Sequence, residues 1–291
     1  MSSEKRRLRV LCQHVTAAPL WERVPKTAEY ASSCYFPSSC YVKVPVLSVR
    51  QETYDSKILT FGLPSATSLA LPVSACLMMQ ASDQTAKPYN PITSNRQLGS
   101  FSLLIKQYEN GTVSNFAGQL KVGDLVPFCH FKGNVKSFQY PFGKQKITMV
   151  CAGTGITPMY QALLPLLETS GDTTEIRLIF GNKSLSDIML GKHLSQMEAM
   201  SGGRFTIYHV LGRSASDNSS SRDHGWKGET GWIDADKIKR FAFPPSCRDS
   251  IVWLCGTKEF YDCMAGSRHD EMTDDSILAS LGYKGEQVWR S

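Results

Sequence analysis

The sequence predicts two domains, an N-terminal antiparallel β-barrel followed by a C-terminal α/β domain built on a parallel sheet. Three observations carry that prediction. A chain of 291 residues, 42% of them hydrophobic, has enough material for two ordinary cores. From Val42 onward, short β-rich runs separated by turn residues succeed one another, the texture of a barrel or sandwich. Beyond Gly143, short apolar strands alternate with helical patterns, which implies right-handed βαβ units and a parallel sheet.

Residues 1–41 hold Pro19, Pro25 and Pro37 among many Ser and Ala, and read as an irregular arm rather than a core element. Strands are then expected over Val42–Gln51, Ser56–Leu63, Val73–Gln80, Phe101–Tyr108 and Asp124–Phe131, giving a barrel domain over 42–143. The most apolar stretch, Leu69–Met79, is broken by Pro72 and Ser74 and reads as buried strand. No run reaches the roughly twenty apolar residues of a membrane helix, so no transmembrane segment is expected. The second domain, 144–291, opens on a short strand at Lys146–Cys151 that runs into a Gly/Thr turn. A helix over Pro158–Leu167 follows, then strands at Glu175–Phe180, Phe205–Leu211 and Ile251–Cys255. Ser214–Asp223 reads as a surface loop.

The formal net charge is +6, with Lys5, Arg6, Arg7 and Arg9 close to the start. That cluster has two readings, a solvated basic arm or a targeting segment of mitochondrial character, which Glu4 and Glu22 count against. A positive surface suits an acidic protein partner. Nucleic acid is not expected as a partner, because no basic run is interleaved with aromatics. Nine cysteines form no CxxC pair and no Cys/His ligand spacing, so no metal site or disulfide framework is expected. An intracellular compartment, cytoplasmic or mitochondrial, follows.

Chemistry concentrates at Val150-Cys151-Ala152-Gly153-Thr154-Gly155-Ile156-Thr157-Pro158, where strand, small-residue turn and helix follow directly. Glycines let backbone N–H groups approach a phosphate, and a helix N-terminus favours negative charge. An ordinary tight βα connection has the same pattern. Leu254-Cys255-Gly256 ends a later parallel strand, where ligands of open α/β sheets bind. Cys255 is there either to touch a cofactor or as a structural cysteine.

Together these motifs resemble the cytochrome b5 reductase branch of the ferredoxin-NADP reductase superfamily, from about Val42 to the C-terminus. Gly153–Met159 (GTGITPM) is the most specific match. Lys87-Pro88-Tyr89-Asn90-Pro91-Ile92 resembles the family's flavin motif Arg-x-Tyr-Thr-Pro-Val. Ile105-Lys106-Gln107-Tyr108 resembles Ile-Lys-Val-Tyr, and Gly111-Thr112-Val113-Ser114 resembles Gly-Lys-Met-Ser. Val122-Gly123-Asp124, Phe180-Gly181-Asn182, Asp187-Ile188 and Cys255-Gly256 also fit, in the family's order and spacing.

The resemblance implies that the barrel binds FAD and the α/β domain binds NADH or NADPH. It implies hydride transfer from NAD(P)H to FAD and single-electron delivery to an acceptor protein of the cytochrome b5 kind, by a monomer. Tyr89 would lie against the isoalloxazine ring, Asn90 near flavin N5 beside Pro91, and Lys87 at the pyrophosphate. Ile105 and Tyr108 would line the flavin site, while Gly111, Val113 and Ser114 would hold phosphate through backbone N–H groups and a hydroxyl. Thr157 would approach the flavin from the second domain. Gly153, Thr154, Gly155, Cys255 and Gly256 would cradle the dinucleotide. Asn90, Thr157 and Cys255 are the catalytic candidates.

Departures from the family pattern bear on this. Lys87 replaces an Arg, turning a bidentate fork on phosphate into a point charge. Thr112 replaces a Lys linked with nicotinamide-cofactor binding, and Ala152 replaces the first glycine of the turn. The chain ends Trp289-Arg290-Ser291 where the family commonly ends in an aromatic. Gly212 stands where NADH-using relatives carry an Asp, removing a carboxylate that would repel a 2′-phosphate. Arg213 beside it either attracts that phosphate or is a solvated loop residue. These departures keep a second reading open, a flavin-deficient member that binds nucleotide or a partner without turnover.

Overall fold

In a computed structural model, residues 34–131, 133, 135–212 and 226–291 are described. The chain divides into two compact units. One holds the described residues up to Phe142 together with Tyr160–Glu168, and the other holds Gly143–Met159 and Thr169–Ser291.

The first unit is a six-stranded antiparallel sheet. Its strands are β1 (Val42–Thr53), β2 (Ser56–Gly62), β3 (Leu77–Gln80), β4 (Ala86–Tyr89), β5 (Ser100–Lys106) and β6 (Leu125–His130). They lie in the order β4-β3-β6-β1-β2-β5. The chain leaving β4 crosses to the far edge, where Pro91 bridges Leu103 and the Ile92 N–H donates to Ser102 O at 2.9 Å. The sheet thereby closes toward a barrel, which removes the exposed edges that an open sheet would leave. Its interior is aromatic. Phe61, Phe101 and Phe128 have ring centroids 4.8–5.3 Å apart, one pair stacked and two edge-on, the arrangements favoured by ring quadrupoles.

Two expectations for this unit need correction, and a third element was not anticipated. The arm is not wholly outside the core. Tyr35 and Phe36 are buried, and Phe36 packs 5.6 Å from both Phe101 and Phe128. Leu69–Cys76 is largely buried as expected but is not strand; regular pairing begins only at Leu77. Ala70 and Ser74 have positive φ, which interrupts any ladder. Side-chain amides replace the missing partner strand. Asn95 Oδ1 accepts from Leu71 N–H while its Nδ2 donates to Leu71 O, and Gln139 makes the same pair of bonds to Val73. Buried backbone groups must be paired, and two carboxamides meet that requirement without a strand. Third, Thr112–Gln119 forms a helix, α1, that periodicity did not announce; burial of Val113 and Ala117 holds it.

The second unit is a wholly parallel six-stranded sheet. It comprises β7 (Lys146–Ala152), β8 (Glu175–Asn182), β9 (Phe205–Leu211), β10 (Glu229–Thr230), β11 (Ser250–Cys255) and β12 (Val288–Arg290). The order is β10-β9-β8-β7-β11-β12. Helix α2 (Ile156–Glu168) leaves β7 through a 3₁₀ turn at Gly153–Gly155. Then come α3 (Gly191–Met200), α4 (Ala235–Phe241), α5 (Lys258–Ala265) and α6 (Ile277–Ser280). Asp234 caps α4 by accepting from Lys237 N–H at 3.0 Å, and Thr257 caps α5 by accepting from Phe260 N–H at 3.3 Å. One sheet face is sealed by Ile238, Tyr261, Met264 and Leu278 over Val150, Ile179, Val252 and Leu254. The loop expected at Ser214–Asp223 and Arg213 lie outside the described residues, as do residues 1–33 of the arm. Among the described residues no helix is long and apolar enough to cross a membrane.

Candidate functional site

In the first unit the expected flavin residues gather along β4, the end of β5 and the start of α1. Lys87 is exposed on β4. Tyr89, at the end of that strand, is half-buried and packs against the barrel core. Burial, and secondly the nearby Tyr108 phenol, push the Tyr89 hydroxyl up to about 12, so it stays a neutral hydrogen-bond donor at ordinary pH. Tyr108 itself is 51% exposed and presents an aromatic surface.

Asn90 is tied down by its amide. Nδ2 donates to Ala75 O at 3.0 Å and to Gln161 Oε1 at 3.3 Å, so the pole it can offer a ligand is Oδ1, an acceptor. Pro91 is fixed by its bridge to β5. Ile105 does not line a surface. It is 3% exposed within the barrel core and can offer a ligand only backbone.

Gly111 is the N-cap of α1, and the first-turn N–H groups of Thr112, Val113 and Ser114 have no partner within the helix. Val113 is buried, so only its N–H is available. The Ser114 hydroxyl is already engaged, donating to Gly111 O at 3.1 Å and accepting from Tyr108 N–H at 3.2 Å. It shapes the turn rather than waiting free for phosphate. A methyl group at Gly111 would overlap Ser114 Oγ. A neutral phenol, a lysine and a helix N-terminus make a donor set that fits an aromatic cofactor bearing phosphate.

In the second unit the glycine turn and the end of β11 meet. Cβ added at Gly155 would lie 2.8 Å from the Cys255 carbonyl carbon and 3.3 Å from Gly256 N, so only glycine lets the two backbones pack. Gly153 has φ +54°, which turns the chain from strand into helix. Thr157 is buried in the first turn of α2 and donates to Thr154 O at 3.1 Å. Cys255 is half-buried at the carboxyl end of β11, in register with the fully buried Cys151 of β7. Burial, with Cys255 as a second cause, holds the Cys151 thiol well above its ordinary value, so it stays a thiol. Gly256 follows against the Phe260 ring at the head of α5. Gly212 follows β9, its N–H donating to Asn182 O at 2.8 Å. Backbone donors at the carboxyl ends of parallel strands fit a dinucleotide phosphate.

Two further residues at this end of the sheet were not singled out for a role from sequence. Asn182 closes β8 and is 8% exposed. Trp232 follows the end of β10 and is 87% exposed. A tryptophan just beyond a strand, behind Gly231, was the available signal for the second. Among the described residues no His, Cys, Asp or Glu cluster could hold a metal ion.

Comparison with known proteins agrees with this geometry. Residues 43–140 match the oxidoreductase FAD-binding domain family, and residues 149–265 match the oxidoreductase NAD-binding domain family. The chain is 30% identical over 260 residues to NADH-cytochrome b5 reductase 2 of Yarrowia lipolytica, covering 86% of this chain and 85% of that protein. It is 32% identical over 229 residues to NADH-cytochrome b5 reductase 1 of Scheffersomyces stipitis, covering 77% and 76%. In fold it is similar to the cytochrome b5 reductase domain of Ulva prolifera nitrate reductase, with TM-score 0.71 at 24% identity over 88% of this chain and 99% of that one. The CS-b5R domains of human Ncb5or are similar too, at TM-score 0.67 and 20% identity over 86% and 69%. With both nucleotide-binding domains matched and relatives of this identity aligned over most of their length, the chain belongs to the NADH-cytochrome b5 reductase family.

Proposed function

We propose that the protein takes a hydride from NADH or NADPH and delivers electrons one at a time to cytochrome b5 or a similar haem protein. Bound FAD would supply the exchange between a two-electron hydride and single electrons. The chain supplies position and hydrogen bonds. Lys87 and the α1 N-terminus at Gly111–Ser114 hold flavin phosphate. Tyr89 donates a hydrogen bond as a neutral phenol, and Tyr108 offers a flat aromatic face. Asn90 turns its Oδ1 toward the isoalloxazine edge, fixed there because Nδ2 is committed to Ala75 and Gln161. On the nucleotide side, Gly153–Gly155 and the α2 N-terminus hold phosphate, while Thr157 and Cys255 border the nicotinamide.

The observation that supports this reading is the meeting of the glycine turn with the Cys255–Gly256 backbone at the carboxyl ends of β7 and β11, where backbone N–H groups and a helix N-terminus come together as a dinucleotide phosphate requires. The test is the visible spectrum of the purified protein. Flavin bands near stoichiometry, bleached anaerobically by NADH or NADPH and restored by oxidised cytochrome b5, are expected. A colourless protein that gains no flavin on reconstitution would overturn the proposal and leave the non-catalytic binding reading in its place.

A further inference from the structure

Asn182 stands out at the carboxyl end of β8. It is the last residue of β8, over nine-tenths buried, and neither Oδ1 nor Nδ2 of its side chain has a hydrogen-bond partner. Only its backbone is engaged, its carbonyl accepting from Gly212 N–H. Leaving both poles of a carboxamide buried and unpaired is destabilising, and such groups are rare enough in folded proteins to require a reason. A leucine has the same number and branching of side-chain heavy atoms without the unpaired poles.

The surroundings indicate what the side chain waits for. Register pairs Asn182 with Leu211 and Phe180 with His209, so these four side chains share one face of the sheet at the carboxyl ends of β8 and β9. His209 Nδ1 is also without a partner. Burial lowers the His209 pKa, which keeps the ring neutral, so the face carries no fixed positive charge from it. Carboxyl ends of parallel strands are where nucleotides bind. A carboxamide presents an acceptor and a donor side by side, the complement of an adenine edge with its exocyclic amine beside a ring nitrogen.

We infer that Asn182 recognises the adenine base of the nicotinamide dinucleotide, pairing Oδ1 with the exocyclic amine and Nδ2 with ring nitrogen N7. This assignment rests on the nucleotide-binding reading above and adds the residue that tells adenine from other bases. Its strongest consequence needs no variant. Hypoxanthine replaces the exocyclic amine by a carbonyl while N7 stays an acceptor, so no rotation of the carboxamide can restore both bonds.

The experiment is calorimetric titration of the holoprotein with NAD⁺ and with nicotinamide hypoxanthine dinucleotide, repeated on N182L. The wild type should bind the adenine form about tenfold more tightly, the discrimination of one good bidentate pair. N182L should bind both forms alike, at the weaker level. Without nucleotide, N182L should melt at a higher temperature than the wild type, because an orphaned amide has been replaced by an apolar group. A residue that only packs would give a lower melting temperature. Equal wild-type affinity for the two dinucleotides, or an equal loss of both in N182L, would overturn the assignment and leave the nucleotide-binding reading standing. Binding of neither dinucleotide to the wild type would overturn both.

Discussion

In both units a missing side chain lets a turn close on itself, at Gly155 and at Gly111, and the two turns are built differently. At Gly155 in the second unit, an added Cβ would meet backbone, the Cys255 carbonyl and Gly256 N, at the junction of two parallel strands. At Gly111 in the first unit, it would meet a hydroxyl, Ser114 Oγ, which can rotate. Backbone inside a sheet moves only if the sheet does, whereas one hydroxyl moves for the loss of its hydrogen bonds. The nucleotide turn is therefore locked by main chain of the parallel sheet, and the flavin-side turn chiefly by one serine, with Tyr108 Cβ and O at 3.2 and 3.3 Å beside it.

Substitution should expose that difference. G155A has to push β11 away from the head of α2 and is expected to lose about 2 kcal/mol of stability, in the range of overpacked cores. NADH affinity should fall with it, because the cradle itself is displaced. Thermal unfolding and nucleotide titration read the two effects. A G155A protein with unchanged melting and unchanged NADH affinity would break the contrast. G111A should lose less, about 1 kcal/mol, as the Ser114 hydroxyl gives up its bonds to Gly111 O and Tyr108 N–H. The sharper test is the pair. In G111A/S114A the nearest obstructing atom is gone and only the milder Tyr108 contacts remain, so the double variant should retain FAD better than G111A alone. No such rescue can be arranged at Gly155, where the obstacle is main chain.

The same contrast explains what could be read from sequence. The strand–turn–helix from Lys146 into α2 was legible because its order is local: apolar strand, Gly/Thr turn and Pro158 in the first helical turn lie in one short run. Its meeting with Cys255 was legible only as strand ends on one edge of a parallel sheet. The first unit hid more, because its structure rests on distant partners. Leu69–Cys76 has strand composition, yet Leu71 and Val73 within it bond to Asn95 and Gln139, polar residues that no local pattern connects to it. Phe36 lies between proline- and serine-rich stretches and fills the barrel all the same. The α1 sequence, Thr-Val-Ser-Asn-Phe-Ala-Gly-Gln, has weak helix propensity and is held by tertiary burial. Ile105 sits in a flavin-like motif, but strand alternation turns it into the core. Asn182 was visible as part of a motif, while its unpaired carboxamide could be seen only in three dimensions.

Gly212 supplies the third case and the smallest structural effect. It is a glycine that no steric demand requires. A Cβ there would make ordinary contacts, 3.5 Å from Lys183 O and 3.7 Å from Asn182 O. Its meaning is therefore electrostatic rather than conformational, in contrast to Gly155 and Gly111. G212D should fold and melt as the wild type does. It should nevertheless lower kcat/KM for NADPH about tenfold relative to NADH, equivalent to ~1.4 kcal/mol of repulsion between a carboxylate and a 2′-phosphate. Because that repulsion acts between partly solvated charges, it should shrink as salt rises from about 0.01 to about 0.15 M, where the screening length falls from about 30 to about 8 Å. Steady-state kinetics with both nucleotides at the two ionic strengths separate charge from shape. A salt-independent loss would mean that the new side chain obstructs the ribose sterically. Unchanged NADPH use would mean that the charge at the end of β9 does not set nucleotide choice at all.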